Sequence, residues 1–313
     1  MKTAFIFPGQ GCQKEGMGKD LYDKSAVARE LFERGNELLG RRITDVMFDG
    51  TEIELMQTIN TQPAVFLYEV AVALSQNDVC PDMVAGHSLG EFAALVVAGA
   101  LSLEDGLRIV LNRAIYGQEA CDKTPTAMGA VIGLSEEYVE KRLKEIWQET
   151  GEPIYIANYN GPGQIVYTGA KVSVKMARKV FVEEGAKKAV TLPIGGSFHS
   201  PYMDEAQSKL AEVINAAQWN NARIPVYQCV DAQPHTDAEE LRQNLIVHIT
   251  HPVLWTDMTH DMVAGGATDF YEIGTDETLQ KIVARMYPAL NVQSVWNVES
   301  YKNVKPYKII EEL

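Results

Sequence analysis

No apolar run in this 313-residue sequence approaches the roughly 20 residues that a membrane-spanning helix requires. Cysteine is scarce. Cys12, Cys80, Cys121 and Cys229 are scattered, with no C-x-x-C pair and no dense framework, so reduced thiols and a cytoplasmic location are expected. Positive charge is also in short supply, with 28 Lys and Arg against 42 Asp and Glu, a net charge of −14. That balance argues against nucleic acid or an anionic membrane as the main partner. Internal repeats and low-complexity segments are absent. The opening Met1-Lys2-Thr3-Ala4-Phe5-Ile6-Phe7-Pro8 is too short and too quickly interrupted for a secretory signal. What remains is a chain with 46% hydrophobic residues, enough for one large core or a large core plus a small insert.

Periodicity supplies the order of elements. A buried strand is expected at Thr3–Phe7, then a glycine-punctuated loop, Pro8-Gly9-Gln10-Gly11-Cys12-Gln13. Helical spacing follows over Ala26–Leu39 and Pro63–Ser75, and Ser102-Leu103-Glu104-Asp105 reads as a capping box for a helix reaching about Ala120. From Met128 the texture changes. Strands at Met128–Ile132, Ile154–Tyr159, Gln164–Thr168 and Ala189–Ile194, with helices at Ser135–Gln148 and Val172–Glu184, give the order βαββαβ. That order is the ferredoxin-like split unit, so residues 124–195 are expected to form a small inserted subdomain. Beyond it, strands at Ile224–Cys229, Phe270–Ile273 and Val292–Val295 alternate with helices near Met203–Ala217, Ala238–Ile249, Leu254–Val263 and Leu279–Met286. The fold class is therefore α/β with a mostly parallel sheet. The stretch from about Asn297 is polar and reads as a loosely held tail.

The chemistry centres on Gly86-His87-Ser88-Leu89-Gly90. It follows the apolar Met83-Val84-Ala85 and precedes the helix-forming Glu91-Phe92-Ala93-Ala94-Leu95-Val96-Val97. A G-x-S-x-G between strand and helix is a nucleophile elbow: the serine sits at a strained backbone position with its hydroxyl outward. Glycines on either side remove side chains that would clash where strand and helix cross. The N–H of Leu89, at the helix start, faces an anion held near Ser88. A serine needs a base, and five histidines lie downstream. His199 has the best context, in the loop Gly195-Gly196-Ser197-Phe198-His199-Ser200 beyond an apolar strand, where α/β sheets place their sites. No acid completes a Ser-Asp-His order, so a backbone carbonyl is the expected partner of the imidazole. His248 and His251 lack a third ligand at a workable spacing, and Pro252 ends the helix there, so no metal site is expected. The backbone N–H of Gln10, in the loop after the first strand, is a second oxyanion donor if that loop lies beside the elbow. Arg113 stands among Ile109, Val110, Leu111, Ala114 and Ile115, and a buried guanidinium requires an anionic partner. A structural carboxylate and a substrate carboxylate both remain open.

Taken in order, Phe7-Pro8-Gly9-Gln10-Gly11-x-Gln13, Thr61-Gln62-Pro63-Ala64, Gly86-His87-Ser88-Leu89-Gly90-Glu91, Arg113, Asn158-x-Asn160 and Gly196-Ser197-Phe198-His199-Ser200 closely resemble the malonyl-coenzyme A:acyl carrier protein transacylases of type II fatty acid synthesis. The resemblance runs over about residues 3–296. It implies an α/β-hydrolase-like core, residues 1–123 and 196–313, carrying the ferredoxin-like insert. It implies Ser88 as the acylated nucleophile, His199 as base and acid, Gln10 and Leu89 as oxyanion donors, and Arg113 as the clamp on the malonyl carboxylate. Phe198 is similar to the phenylalanine of malonyl-selective members, where its bulk discourages an α-methyl branch.

Three departures from the family pattern stand out. His248 falls where glutamine is usual; there the main-chain carbonyl orients the catalytic histidine, and the imidazole adds a second titrating group. Gly117 replaces a frequent methionine, which is expected to enlarge one wall of the acyl pocket. Gly274-Thr275-Asp276 replaces a Gly-Pro-Gly.

The implied reaction is two half-reactions through malonyl-Ser88, with malonyl-coenzyme A and acyl carrier protein as partners, no cofactor, and a monomeric enzyme. An acidic carrier needs a local basic face. Residues 170–190 provide Lys171, Lys175, Arg178, Lys179, Lys187 and Lys188 against Glu183 and Glu184, and the resemblance associates Gly185-Ala186-Lys187-Lys188 with carrier or coenzyme A contact. A serine hydrolase, a polyketide acyltransferase and a silent scaffold are the rival readings. Arg113 argues against a general esterase, since a neutral acyl group would leave its charge unpaired.

Overall fold

In the computed structural model, residues 2–75, 80–193 and 196–301 are described. Ten strands occupy Lys2–Phe7 (β1), Met83–Gly86 (β2), Thr126–Ile132 (β3), Ile154–Gly161 (β4), Gln164–Ala170 (β5), Lys188–Thr191 (β6), Val226–Tyr227 (β7), Pro234–His235 (β8), Ala267–Ile273 (β9) and Asn291–Val295 (β10). They form two sheets. The larger runs β10-β9-β1-β2-β7-β8 and is parallel except for the last pair. The smaller runs β4-β5-β3-β6, all antiparallel.

β1 is apolar on both faces because helices cover both, as a central parallel strand requires. Phe5 and Phe7 face one layer with Val84, Phe66, Phe92 and Val110. Ala4 and Ile6 face the other with Trp255, Met258 and Ile282. The small sheet has its own core, in which Val139, Leu143 and Ile146 of helix Glu136–Thr150 meet Val174, Ala177 and Phe181 of helix Lys171–Glu183.

Most elements fall where periodicity puts them; helix Ala26–Leu39 is one. Three differences have physical causes. Helix Thr58–Leu74 starts before Pro63, not at it. Proline cannot donate to the carbonyl of Ile59, and the Arg41 Nη2 supplies that bond instead at 2.8 Å. The strand expected over Ile224–Cys229 shrinks to two residues because the chain turns back at Gln228–Gln233, with Ala232 at φ 60°, to form the unexpected β8. Short helices at Lys19–Lys24, Ile43–Asp49 and Glu52–Leu55 carry too few turns to show a period. β6 ends at Thr191; Ile194 and Gly195, placed in the expected strand and histidine loop, lie outside the described residues. Of the polar tail, Val298–Tyr301 is helical and residues 302–313 lie outside the described residues. No described helix is long and apolar enough to cross a membrane.

The two sheets meet at β4. Tyr159 donates its N–H to Val253 O at 2.9 Å and Val253 returns a bond to Ala157 O at 2.8 Å. His87 Nε2 lies 2.7 Å from Asn160 Oδ1, tying the elbow to the same strand. Contact at the elbow is close enough to exclude a single methyl group. A Cβ at Gly90 would fall on the carbonyls of Phe7 and Pro8, and one at Gly86 on the backbone of Gly90 and Glu91. Gly90→Ala should therefore lose at least ~1–3 kcal/mol of stability, read as a lower urea midpoint; an unchanged midpoint would show that the β1–helix contact yields freely.

Candidate active site

Ser88 is the second residue beyond β2 and has φ 53°, a left-handed conformation that costs a non-glycine residue energy. The turn aims its hydroxyl at His199, with Oγ 2.7 Å from Nε2. His199 is itself at φ 61°, and its N–H is fixed to Ile249 O at 2.8 Å. Its Nδ1 faces two carbonyl oxygens, His248 O at 3.2 Å and His251 O at 3.0 Å. Two acceptors leave only one consistent tautomer: the proton sits on Nδ1, and Nε2 accepts from the serine. The expected backbone partner is therefore present, as a pair. Burial, seconded by the nearby Arg113 cation, pushes the imidazole down to about 3 against the pull of the His251 carbonyl. His199 is thus neutral and able to accept a proton across the physiological range.

Arg113 projects from helix Leu103–Lys123, capped by Ser102 Oγ accepting from Asp105 N at 3.0 Å. The guanidinium is 2% exposed and Nη2 donates to Ser88 Oγ at 3.2 Å. Its carbon lies 5.0 Å from the Phe198 ring centre and 5.7 Å from that of Phe92. No carboxylate pairs with it among the described residues, and Nε has no partner. Burial lowers its pKa to about 10, which leaves it cationic at neutral pH. Among the described residues, the structural-carboxylate alternative for this arginine finds no pair.

The Gln10 loop lies against the elbow, where a Cβ on Gly9 would stand 2.8 Å from His87 O and 3.6 Å from Ser88 Cβ. Neither the Gln10 nor the Leu89 amide donates to a protein acceptor among the described residues. Gln62 Nε2 holds the Gln10 side chain at 3.3 Å. Thr275, in the variant Gly274-Thr275-Asp276 loop, donates its hydroxyl to Cys12 O, and Lys14 Nζ reaches Thr275 O at 2.5 Å. That loop braces the Gln10 loop from behind. Met128 and Asn158 of the small sheet close the cavity over Ser88 and Arg113.

Two expectations change. Gly117 does not open a wall: the Phe198 ring fills the space its side chain would take, with ring atoms 2.7 and 2.8 Å from an added Cβ. The His248 imidazole does not add a second titrating group near neutral pH. It is buried between His199 (5.3 Å between ring centres) and Phe92 (5.7 Å), and burial holds it neutral. Lys187 and Lys188 are exposed at the start of β6. From Lys188, paired with Ile132, the strand leads to Leu192, whose N–H bonds to Met128 O at the cavity edge. That is about 13 Å of extended chain.

Glu91 was missed in the sequence, although an acid in the apolar helix Gly90–Val97 signals a partner. It accepts from Cys229 N at 2.8 Å and Gln228 Nε2 at 3.0 Å, and anchors the end of β7 beneath the elbow. His248 Nε2 stands 3.8 Å away. Burial raises its pKa.

Comparison with known proteins agrees with this geometry. The acyl transferase domain family matches residues 4–310. Malonyl CoA-acyl carrier protein transacylase of Bacillus subtilis (strain 168) is 37% identical over 300 residues, 95% of this chain and 94% of that protein. The enzyme of the same name from Staphylococcus aureus (strain MRSA252) is 34% identical over 298 residues, covering 95% and 96%. Among solved structures, malonyl CoA-acyl carrier protein transacylase from Coxiella burnetii superposes with a TM-score of 0.93 at 32% identity, covering 97% and 96%. A malonyl-transacylase in complex with its type II PKS acyl-carrier protein gives 0.92 at 32%, covering 96% and 97%. The chain belongs to the acyl transferase family, among relatives that carry the name malonyl CoA-acyl carrier protein transacylase.

Proposed function

We propose that this protein moves a malonyl group from malonyl-coenzyme A to the phosphopantetheine thiol of acyl carrier protein, supplying extender units for fatty acid synthesis. The observation that carries the reading is the buried guanidinium of Arg113, without a paired carboxylate among the described residues, 3.2 Å from a serine hydroxyl that also meets a neutral imidazole. A dicarboxylic acyl group supplies both the missing anion and the ester carbonyl. Ser88 attacks the thioester as His199 Nε2 takes its proton, and the amides of Gln10 and Leu89 hold the oxyanion. His199 then protonates the departing thiolate. In the second half-reaction the carrier thiol gives its proton to His199 and leaves with the malonyl group. Every step finds its proton carrier and charge partner among these residues, so the mechanism calls for neither metal nor redox group. Phe198, against the arginine, restricts an α-branch, and the main chain of His248 orients the base.

We read the architecture as an α/β-hydrolase-like core, residues 1–123 and 196–313, with a ferredoxin-like insert, residues 124–195; the β4-β5-β3-β6 order supports the insert. The protein acts as a cytoplasmic monomer that meets its carrier transiently. Lys187 and Lys188 stand at the far end of β6, at a distance suited to a carrier whose prosthetic arm must reach Ser88.

Intact mass after incubation with malonyl-coenzyme A should show a malonyl adduct that is absent in Ser88→Ala, and Arg113→Ala should slow its formation ~10²–10³-fold. A stable adduct without carrier, discharged only on its addition, separates transfer from hydrolysis. Because burial holds His199 neutral to about pH 3, kcat/KM for acylation should stay level from about pH 8 to pH 5.5. An ordinary imidazole, protonating as pH falls through its pKa, would lose roughly tenfold over that range. Lys187→Glu with Lys188→Glu should slow only the carrier half-reaction and flatten its salt dependence; unchanged carrier kinetics would remove these lysines from the docking face.

A further inference from the structure

Gly117 sits inside the helix Leu103–Lys123, one turn beyond Arg113 and on the same face. No turn or positive φ calls for glycine there, and glycine weakens a helix interior relative to alanine. What occupies the place of its side chain is the Phe198 ring, with Cζ 2.7 Å and Cε1 2.8 Å from an added Cβ. The same ring lies 5.0 Å beneath the Arg113 guanidinium. We propose that Gly117 and Phe198 act as one specificity-determining unit: the glycine is a notch that seats the ring, and the seated ring sets both the size of the acyl cavity and the position of the arginine.

The direction of the effect follows from what surrounds the ring. Phe198 cannot retreat along its main chain, because the next residue is the base, pinned by its N–H to Ile249 O and by Nε2 to Ser88. On the other side Ser200 Oγ donates to Ser197 O at 2.6 Å and locks the preceding turn. A ring pushed out of the notch therefore swings into the open volume between Ser88, Arg113, Met128 and Asn158. A side chain at residue 117 shrinks that volume without itself touching the acyl group, so Gly117 is a positioning residue that acts through Phe198. An α-branched malonyl group, the larger occupant, suffers most.

This inference rests on the malonyl-transfer reading, and a double-mutant cycle over Gly117→Ala and Phe198→Leu tests it separately. The readouts are loading of Ser88 from malonyl- and methylmalonyl-coenzyme A, and the rate of labelling by a small neutral fluorophosphonate. Gly117→Ala should keep the wild-type melting temperature or exceed it and label with fluorophosphonate within about threefold of wild type. It should lose at least ~10-fold in malonyl kcat/KM, and more with methylmalonyl. In the Phe198→Leu background the same alanine should change neither substrate by more than about twofold, since no ring remains to displace. Phe198→Leu alone, which keeps the core apolar, should raise methylmalonyl relative to malonyl by about tenfold. An alanine effect of equal size in both backgrounds, or an unchanged methylmalonyl-to-malonyl ratio, overturns the proposal. Failure of the wild-type protein to take malonyl at all would instead sink the reading it rests on.

Discussion

A positive charge sealed in a low-dielectric interior, with no carboxylate in contact among the described residues, is the constraint from which the rest of this site follows. Burial of Arg113 disfavours its charged form, yet a guanidinium keeps its proton at neutral pH. Aromatic faces and the serine hydroxyl offset that cost at short range, and the field of Glu91 helps from further away. The site therefore holds an electrostatic demand beside Ser88 that a carboxylate would meet. Burial first, and the same cation second, hold the neighbouring imidazole unprotonated.

The second organising element is main chain. A catalytic imidazole is usually aimed by a carboxylate, which also stabilises the imidazolium. Here two carbonyls, of residues 248 and 251, fix the tautomer without adding a negative charge. A carboxylate in that place would compete for Arg113. Dipoles instead of an ion let the cation remain unpaired at short range. Backbone acceptors also make the aim of His199 a property of the turn over residues 247–252 and independent of any side chain there, which is consistent with a histidine at position 248 whose ring nitrogens have no hydrogen-bond partner among the described residues.

Much of this was legible before any coordinates. The strand–turn–helix context of residues 83–97 carried the elbow, and an arginine in an apolar helical stretch announced a buried cation. Both signals are local. The parallel sheet was legible from alternation, and the strands of the small antiparallel sheet from the change of texture at Met128. What escaped involves pairs distant in the chain or groups that side chains do not encode. The Phe198–Gly117 contact joins residues 81 positions apart, so a missing side chain read as empty space. The fold of Pro63 into a helix depended on Arg41, and the two-residue β7 on a turn closed by Gln228 and Gln233.

The chemical groups and one part of the cavity wall come from different sheets. Nucleophile, base and cation all belong to segments that flank the large sheet, whereas Met128 and Asn158 belong to the small one, joined to it by a handful of bonds around β4 and by His87 with Asn160. Such a division lets the shape of that part of the wall vary with the small sheet while Ser88, His199 and Arg113 keep their mutual distances.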